Sequence, residues 1–169
     1  MISLHNLCDC KGITKIESNF KPYIFTHKQI ADIFNHVDNN LRSRKNDRAR
    51  LFYPVIFRML YGCGLRISEA LNLKITNVDL SEGLLYIYNS KNHKDRIIPM
   101  DKSLTEYCKK YAIQIHATYR EDECFFQSTK GGKYDKGTVY HFFRKVLWQC
   151  GISHGGRSNG GPRLLDIRH

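Results

Sequence analysis

Apolar positions along this chain fall into runs of different period, and each change of period marks a new element. In KPYIFTHKQIADIFNHVDNN, Ile30, Ile33, Phe34 and Val37 recur at the spacing of one helix face. Thr26 followed three residues later by Gln29 is a capping-box signature and predicts where that helix starts. A polar, basic stretch, LRSRKNDRAR, links it to LFYPVIFRMLYGCG, which is apolar nearly all round, as a central buried helix is. Pro54 fits the first turn of this helix, and Gly62 and Gly64 supply a stop signal. A short helix follows around SEALNL.

Beyond it the segments become short and rich in branched and aromatic residues. ITNVDL, GLLYIYN and DRIIPM, divided by SEG and SKNHK, predict three antiparallel strands, with Pro99 placing the last at an edge. Helical spacing returns in KSLTEYCKKYAIQIHATY through Leu104, Tyr107, Cys108, Tyr111 and Ile115. It returns again after a Gly-rich turn, through Val139, Phe142, Phe143, Val146 and Leu147, ending near Gly151. SHGGRSNGGP reads as a loop and RLLDIRH as the first two turns of a further helix. The fold class expected is α+β: a mostly helical domain over residues 21–169, interrupted by a small three-stranded antiparallel sheet. Residues 1–20 lack a sustained period and read as a linker or the tail of something missing.

Length allows one domain with a real core. The charge narrows the function: 27 Lys and Arg against 16 acidic residues give +11 and a pI near 9.5, a field that favours a polyanion. Nucleic acid fits better than an anionic membrane, because the acids are interspersed, the aromatics are spread, and no stretch suits a bilayer span or a signal peptide. Six scattered cysteines without a pairing rhythm suit a reducing cytoplasm. His5, Cys8 and Cys10 match no closed zinc spacing, so no metal is expected.

Three basic clusters stand at element junctions. In GCGLRISEAL, Arg66 follows two glycines and precedes a helix start, where a guanidinium and nearby N–H groups can hold a phosphate. YNSKNHKDRIIP puts Lys91, His93, Lys94 and Arg96 at a hairpin, where a lysine can deliver a proton to a leaving oxygen. GPRLLDIRH carries Arg163, Arg168 and His169 near a helix start. Taken singly, each is equally a solvated charge on a loop or helix surface. Asp166 can pair with Arg163 or serve the first turn's dipole and is assigned no chemistry.

The order and wording of GLRISEAL, SKNHKDRIIPM and TVYHFFRKVLWQCGISHGGRSNGGPRLLDIRH resemble the boxes of the tyrosine recombinase (phage integrase) catalytic domain, over roughly residues 21–169. The resemblance implies site-specific DNA recombination without metal or cofactor: a tyrosine attacks the scissile phosphate, and a free 5′-hydroxyl later reverses the step. Arg66 and Arg168 match the two arginines that clamp the non-bridging oxygens, and Lys91 matches the hairpin lysine, with Lys94 the fallback. His169 matches a histidine that often follows the second arginine. Lys94, Arg163 and His169 are expected to contact DNA, and the implied partners are double-stranded DNA and other recombinase protomers.

Two departures stand out. Leu165 occupies the position of the expected histidine, and none of the ten tyrosines follows Arg168, where the nucleophile belongs. Tyr140 is expected to pack on its own helix. The chain therefore reads as a C-terminally incomplete catalytic domain, unable to cleave DNA by itself, with Leu164, Leu165 and Ile167 short of cover. The competing readings are a non-catalytic DNA-binding remnant of a mobile-element integrase and, outside the family, a basic RNA- or membrane-binding protein.

Overall fold

In the computed structural model, structure is described for residues 22–39, 48–88, 95–116, 120, 122–128, 132–154 and 161–168. Helix α1, His27–Asn39, begins at the expected box: Gln29 N–H donates to Thr26 Oγ1 at 3.2 Å and Thr26 N–H donates to Gln29 Oε1 at 3.0 Å. Its apolar face buries Ile30, Ile33 and Val37.

Helix α2, Ala49–Gly62, is the centre of the core. Phe52, Val55, Ile56, Phe57, Met59 and Leu60 are almost wholly excluded from solvent. The helix starts before the apolar run, so Pro54 lies in its second turn and not in the first. There its ring nitrogen removes one rung of the ladder, the bond that would reach the Arg50 carbonyl. Around α2 the aromatic rings interlock: Tyr53 stacks on Phe142 at 3.5 Å, Phe52 on Tyr134 at 3.7 Å, and Phe57 meets Phe143 edge-on at 5.7 Å.

A short helix α3, Ile67–Leu71, leads to the sheet. Strands β1 (Val78–Asp79), β2 (Leu84–Ile87) and β3 (Arg96–Pro99) lie in that order, antiparallel, with Leu85 opposite Val78 and Ile98, and Ile87 opposite Arg96. Pro99 is on an edge strand, as expected. The predicted strand ITNVDL is mostly something else: Ile75–Asn77 is a 3-10 turn, because the Asn77 side chain accepts from Lys74 N–H at 2.8 Å and closes the turn locally. Gly83, at φ +68°, turns β1 into β2 hard against α4; a Cβ there would lie 3.1 Å from Thr105 Oγ1.

Helix α4, Lys102–Ile115, is capped by Asp101, and helix α5, Lys136–Gln149, by Asp135. Helix α5 ends in a Schellman turn at Gly151: Ile152 N–H reaches Leu147 O at 2.8 Å and Gly151 N–H reaches Trp148 O at 3.1 Å. Between α4 and α5, Phe125 and Phe126 enter the core, held as Phe125 N–H donates to Leu73 O at 2.7 Å. Sequence reading assigned this stretch no element.

At the C-terminal end the predicted helix turns are 3-10, Leu164–Arg168, with Asp166 N–H bonded to Arg163 O at 2.9 Å. The expected shortage of apolar cover is also corrected. Leu164 and Ile167 are 5% and 1% exposed because this turn packs against α2, and of the three only Leu165 is open, at 40%.

Truncating Phe57 to Ala should cost about 3–5 kcal/mol, since it empties the centre of an aromatic cluster. Ile113→Ala, at a position 76% exposed, should stay within roughly 0.5 kcal/mol of the parent. Urea melts of the two variants compare them directly, and equal losses would place the core elsewhere.

Candidate functional site

Arg66 emerges where α2 gives out. Cys63 N–H closes the last turn on Met59 O at 3.1 Å, and Gly64 then takes φ +61°, a conformation that favours glycine. The reversal drives Leu65 into the core at 1% exposure and turns Arg66 outward as the N-cap of α3. Glu69, one turn on, reaches back: Oε2 accepts from Arg66 N–H and Oε1 from Arg66 Nη1, both at 2.8 Å. The same carboxylate takes a two-pronged guanidinium from β3, with Arg96 Nη2 at 2.8 Å from Oε2 and Arg96 Nη1 at 3.2 Å from Oε1.

This device recurs at the third cluster. Asp166, 1% exposed, accepts from Arg163 N–H at 2.8 Å and from Arg163 Nη2 at 2.9 Å. The pairing anticipated for Arg163 and Asp166 is therefore formed, and it stiffens the turn that ends at Arg168. Arg168 itself is half-buried, and its Nε has no hydrogen-bond partner among the described residues. A buried N–H left unmet costs roughly 1–3 kcal/mol, so an acceptor brought to Nε would relieve that cost.

Two clefts meet at Arg66. One, of about 720 Å³, is the more polar of the two and runs between α3 and the sheet past Asn72, Lys74, Thr76, Tyr86 and Tyr88. The other, of about 460 Å³, is more apolar and runs between α3, α5 and the C-terminal turn, past Lys136, Tyr140, Arg163 and Leu165. Val139 and Phe143 take the buried face of α5, and Tyr140, 40% exposed, lines this cleft. Leu165 lies on the same wall, so the position expected to hold a histidine presents a hydrocarbon surface to the cleft.

Of the predicted site residues, Arg66 and Arg163 share one cleft, while Arg168 lines neither of these two. Lys91, Lys94 and His169 lie outside the described residues, as do His93 and the His5, Cys8 and Cys10 group. Tyr88, the last described residue before Lys91, lines the polar cleft. Among the described residues no cluster of His, Cys, Asp or Glu is arranged to hold a metal ion, and no helix is long and apolar enough to cross a membrane. Sequence reasoning missed Glu69. Its signal was present: an acid three residues after a helix-starting residue is the reach-back half of a capping box.

Burial works to raise the Glu69 pKa, but hydrogen bonds from Arg96 and from the backbone and side chain of Arg66 outweigh it and hold the carboxyl at about 2. A depressed carboxyl stabilises the fold in full above its unfolded value of 4.5, and the contribution fades as pH falls toward about 2. Glu69→Gln should therefore lose less stability than the parent across that window. Denaturant midpoints measured against pH check this, and parallel acid limbs would refute it.

The sequence profile described as "Phage integrase family" matches residues 24–166. The chain is 33% identical over 124 residues to the probable integrase/recombinase protein MJ0367 of Methanocaldococcus jannaschii, covering 72% of this chain and 37% of that protein. It is 42% identical over 130 residues to tyrosine recombinase XerA of Thermococcus kodakarensis, covering 73% of this chain and 43% of that one. The chain thus spans less than half the length of these curated relatives. Among solved structures, the crystal structure of XerA recombinase superposes with TM-score 0.66 at 21% identity, over 92% of this chain and 50% of that one. XerH recombinase bound to its palindromic difH substrate superposes with TM-score 0.67 at 20% identity, over 89% and 41%. At that identity the two structures speak for the fold, which is the mostly helical, three-stranded arrangement described above. With the profile spanning nearly the whole described core and the relatives agreeing with it, the chain belongs to the phage integrase family, as tyrosine recombinase catalytic-domain sequence.

Proposed function

We propose that this chain supplies the phosphate-handling part of a site-specific DNA recombinase acting on double-stranded DNA. The observation that carries the reading is Arg66: tied to Glu69 on one side, still 39% exposed, and set where two clefts meet. A guanidinium so held offers its remaining donors to the non-bridging oxygens of a phosphodiester without first having to be ordered. Arg168, with its unmet Nε, is the second clamp. Lys91 serves as the proton donor to the leaving 5′-oxygen, with Lys94, Arg163 and His169 in contact with the DNA. The reaction needs no metal or cofactor. Strand exchange joins this chain to further recombinase protomers, and the reducing cytoplasm is its setting.

A second, binding-only reading is favoured by one observation. Leu165 faces the cleft where proton transfer calls for a histidine, and a hydrocarbon can neither donate nor accept. The binding-only reading is open to direct test. Tested as the 169-residue polypeptide, which holds no tyrosine beyond Arg168, the chain should bind duplex DNA without forming a covalent adduct on a nicked substrate. An adduct detected by denaturing gel would overturn the binding-only reading.

Binding should be salt-dependent and weakly sequence-specific, because phosphate contacts dominate it. Arg66→Ala and Arg168→Ala should each weaken binding and make the salt dependence shallower by about 0.9 per lost phosphate contact. Fluorescence anisotropy with a labelled duplex at several salt concentrations reads both quantities. Parent-like binding by both variants would put the DNA surface elsewhere on the molecule.

A further inference from the structure

The Glu69 carboxylate has no acceptor capacity to spare. Its Oε1 accepts from Nη1 of Arg66 and Nη1 of Arg96; its Oε2 accepts from the Arg66 backbone N–H and Nη2 of Arg96. A carboxylate offers about four lone-pair sites, and here each is taken. Two guanidiniums share one carboxylate, so the cluster presents a net positive charge to the cleft.

That stoichiometry matters for anion binding. An arginine paired one-to-one with a carboxylate is electrically neutral at a distance, and Glu69 lies within 2.8 Å of Arg66, with its side chain only 10% exposed. With the Arg66 side chain 39% exposed, water weakens the neutralisation without removing it. Glu69 is nonetheless required where it is, because its reach-back bonds decide where Arg66 points. The conflict is resolved from another element. Arg96, on edge strand β3 and 27 residues away in sequence, lays its planar fork along the carboxylate from the far side.

We propose that Arg96 is a positioning residue for phosphate binding: it balances the charge of Glu69, so that Glu69 orients Arg66 without cancelling it. This rests on the reading of Arg66 as a phosphate clamp. The bland alternative is that Arg96 merely tethers β3 to α3, and charge counting tells the two apart.

The experiment is duplex DNA binding by the full 169-residue chain, read as affinity and salt slope by anisotropy. Arg96→Met keeps the hydrocarbon stem but leaves Arg66 in a neutral pair with Glu69, so the slope should become shallower by about 0.9, as in Arg66→Ala. In the double variant Arg96→Met/Glu69→Gln the opposing charge is gone as well, and the slope should return to the parent value. A mere tether predicts the reverse: the double variant, with both ends of the bond removed, would bind no better than Arg96→Met. Arg96→Lys, the mildest change, retains the charge and should retain the slope; a slope as shallow as that of Arg66→Ala would overturn the proposal even if Arg96→Met did not fold. If Arg66→Ala weakens binding while Arg96→Met does not, the role of Arg96 fails and the clamp stands. If Arg66→Ala has no effect, both fail together.

Discussion

Burial of α2 on nearly every side governs the rest of this molecule. Phe52, Phe57, Ile56 and Met59 have essentially no contact with water, so the helix cannot rotate or slide without opening the core. Its C-terminal end is thereby pinned, and the residues that leave it are pinned too. Gly64 reverses the chain, Leu65 anchors it, and Arg66 appears at a place set to within the tolerance of core packing. An arginine on a loop is mobile by default; this one stands four residues past the end of a buried helix and is the N-cap of the next.

Cations in this basic chain do several different jobs, and charge alone does not sort them. Arg58 lies over the ring of Tyr107 at 4.0 Å and that of Phe34 at 4.6 Å, and its two terminal nitrogens hold Asp38 at 3.0 and 2.7 Å. It ties α1, α2 and α4 together and has no part in the clefts. Lys28 makes an exposed pair with Asp32, worth little. Arg66, Arg96 and Arg163 are set apart because each is gripped by a nearly buried acid while its own side chain stays 34–39% exposed. What marks them as candidates for anion binding is restraint without burial.

Much of the architecture was readable from spacing, for a simple reason. Amphipathic period, capping residues and turn glycines act over four or five residues, so the Thr26–Gln29 box, the faces of α1, α4 and α5, the Gly151 terminator and the three-stranded order all followed from local pattern. The errors were local competitions decided by side chains. Asn77 bonding back to Lys74 N–H took ITN away from the strand, and Asp166 bonding back to Arg163 N–H accompanied a tight 3-10 turn where an α-helix had been expected. One helical position, a rotation of about 100°, separates the buried Val139 from Tyr140 on the cleft wall.

For the site the division is sharper. Arg66, Arg163 and Arg168 could be named in advance, since a basic residue beside a glycine turn or a helix start is a local signal. Their circumstances could not. The sharing of Glu69 between Arg66 and Arg96 joins a helix start to a sheet edge, and the unmet Nε of Arg168 depends on what packs around it. Residue order therefore carried the elements and the list of candidate cations. Which cation is restrained, which carboxylate is shared, and which side chains face one cleft came from folding, because such contacts join residues that no short-range pattern relates.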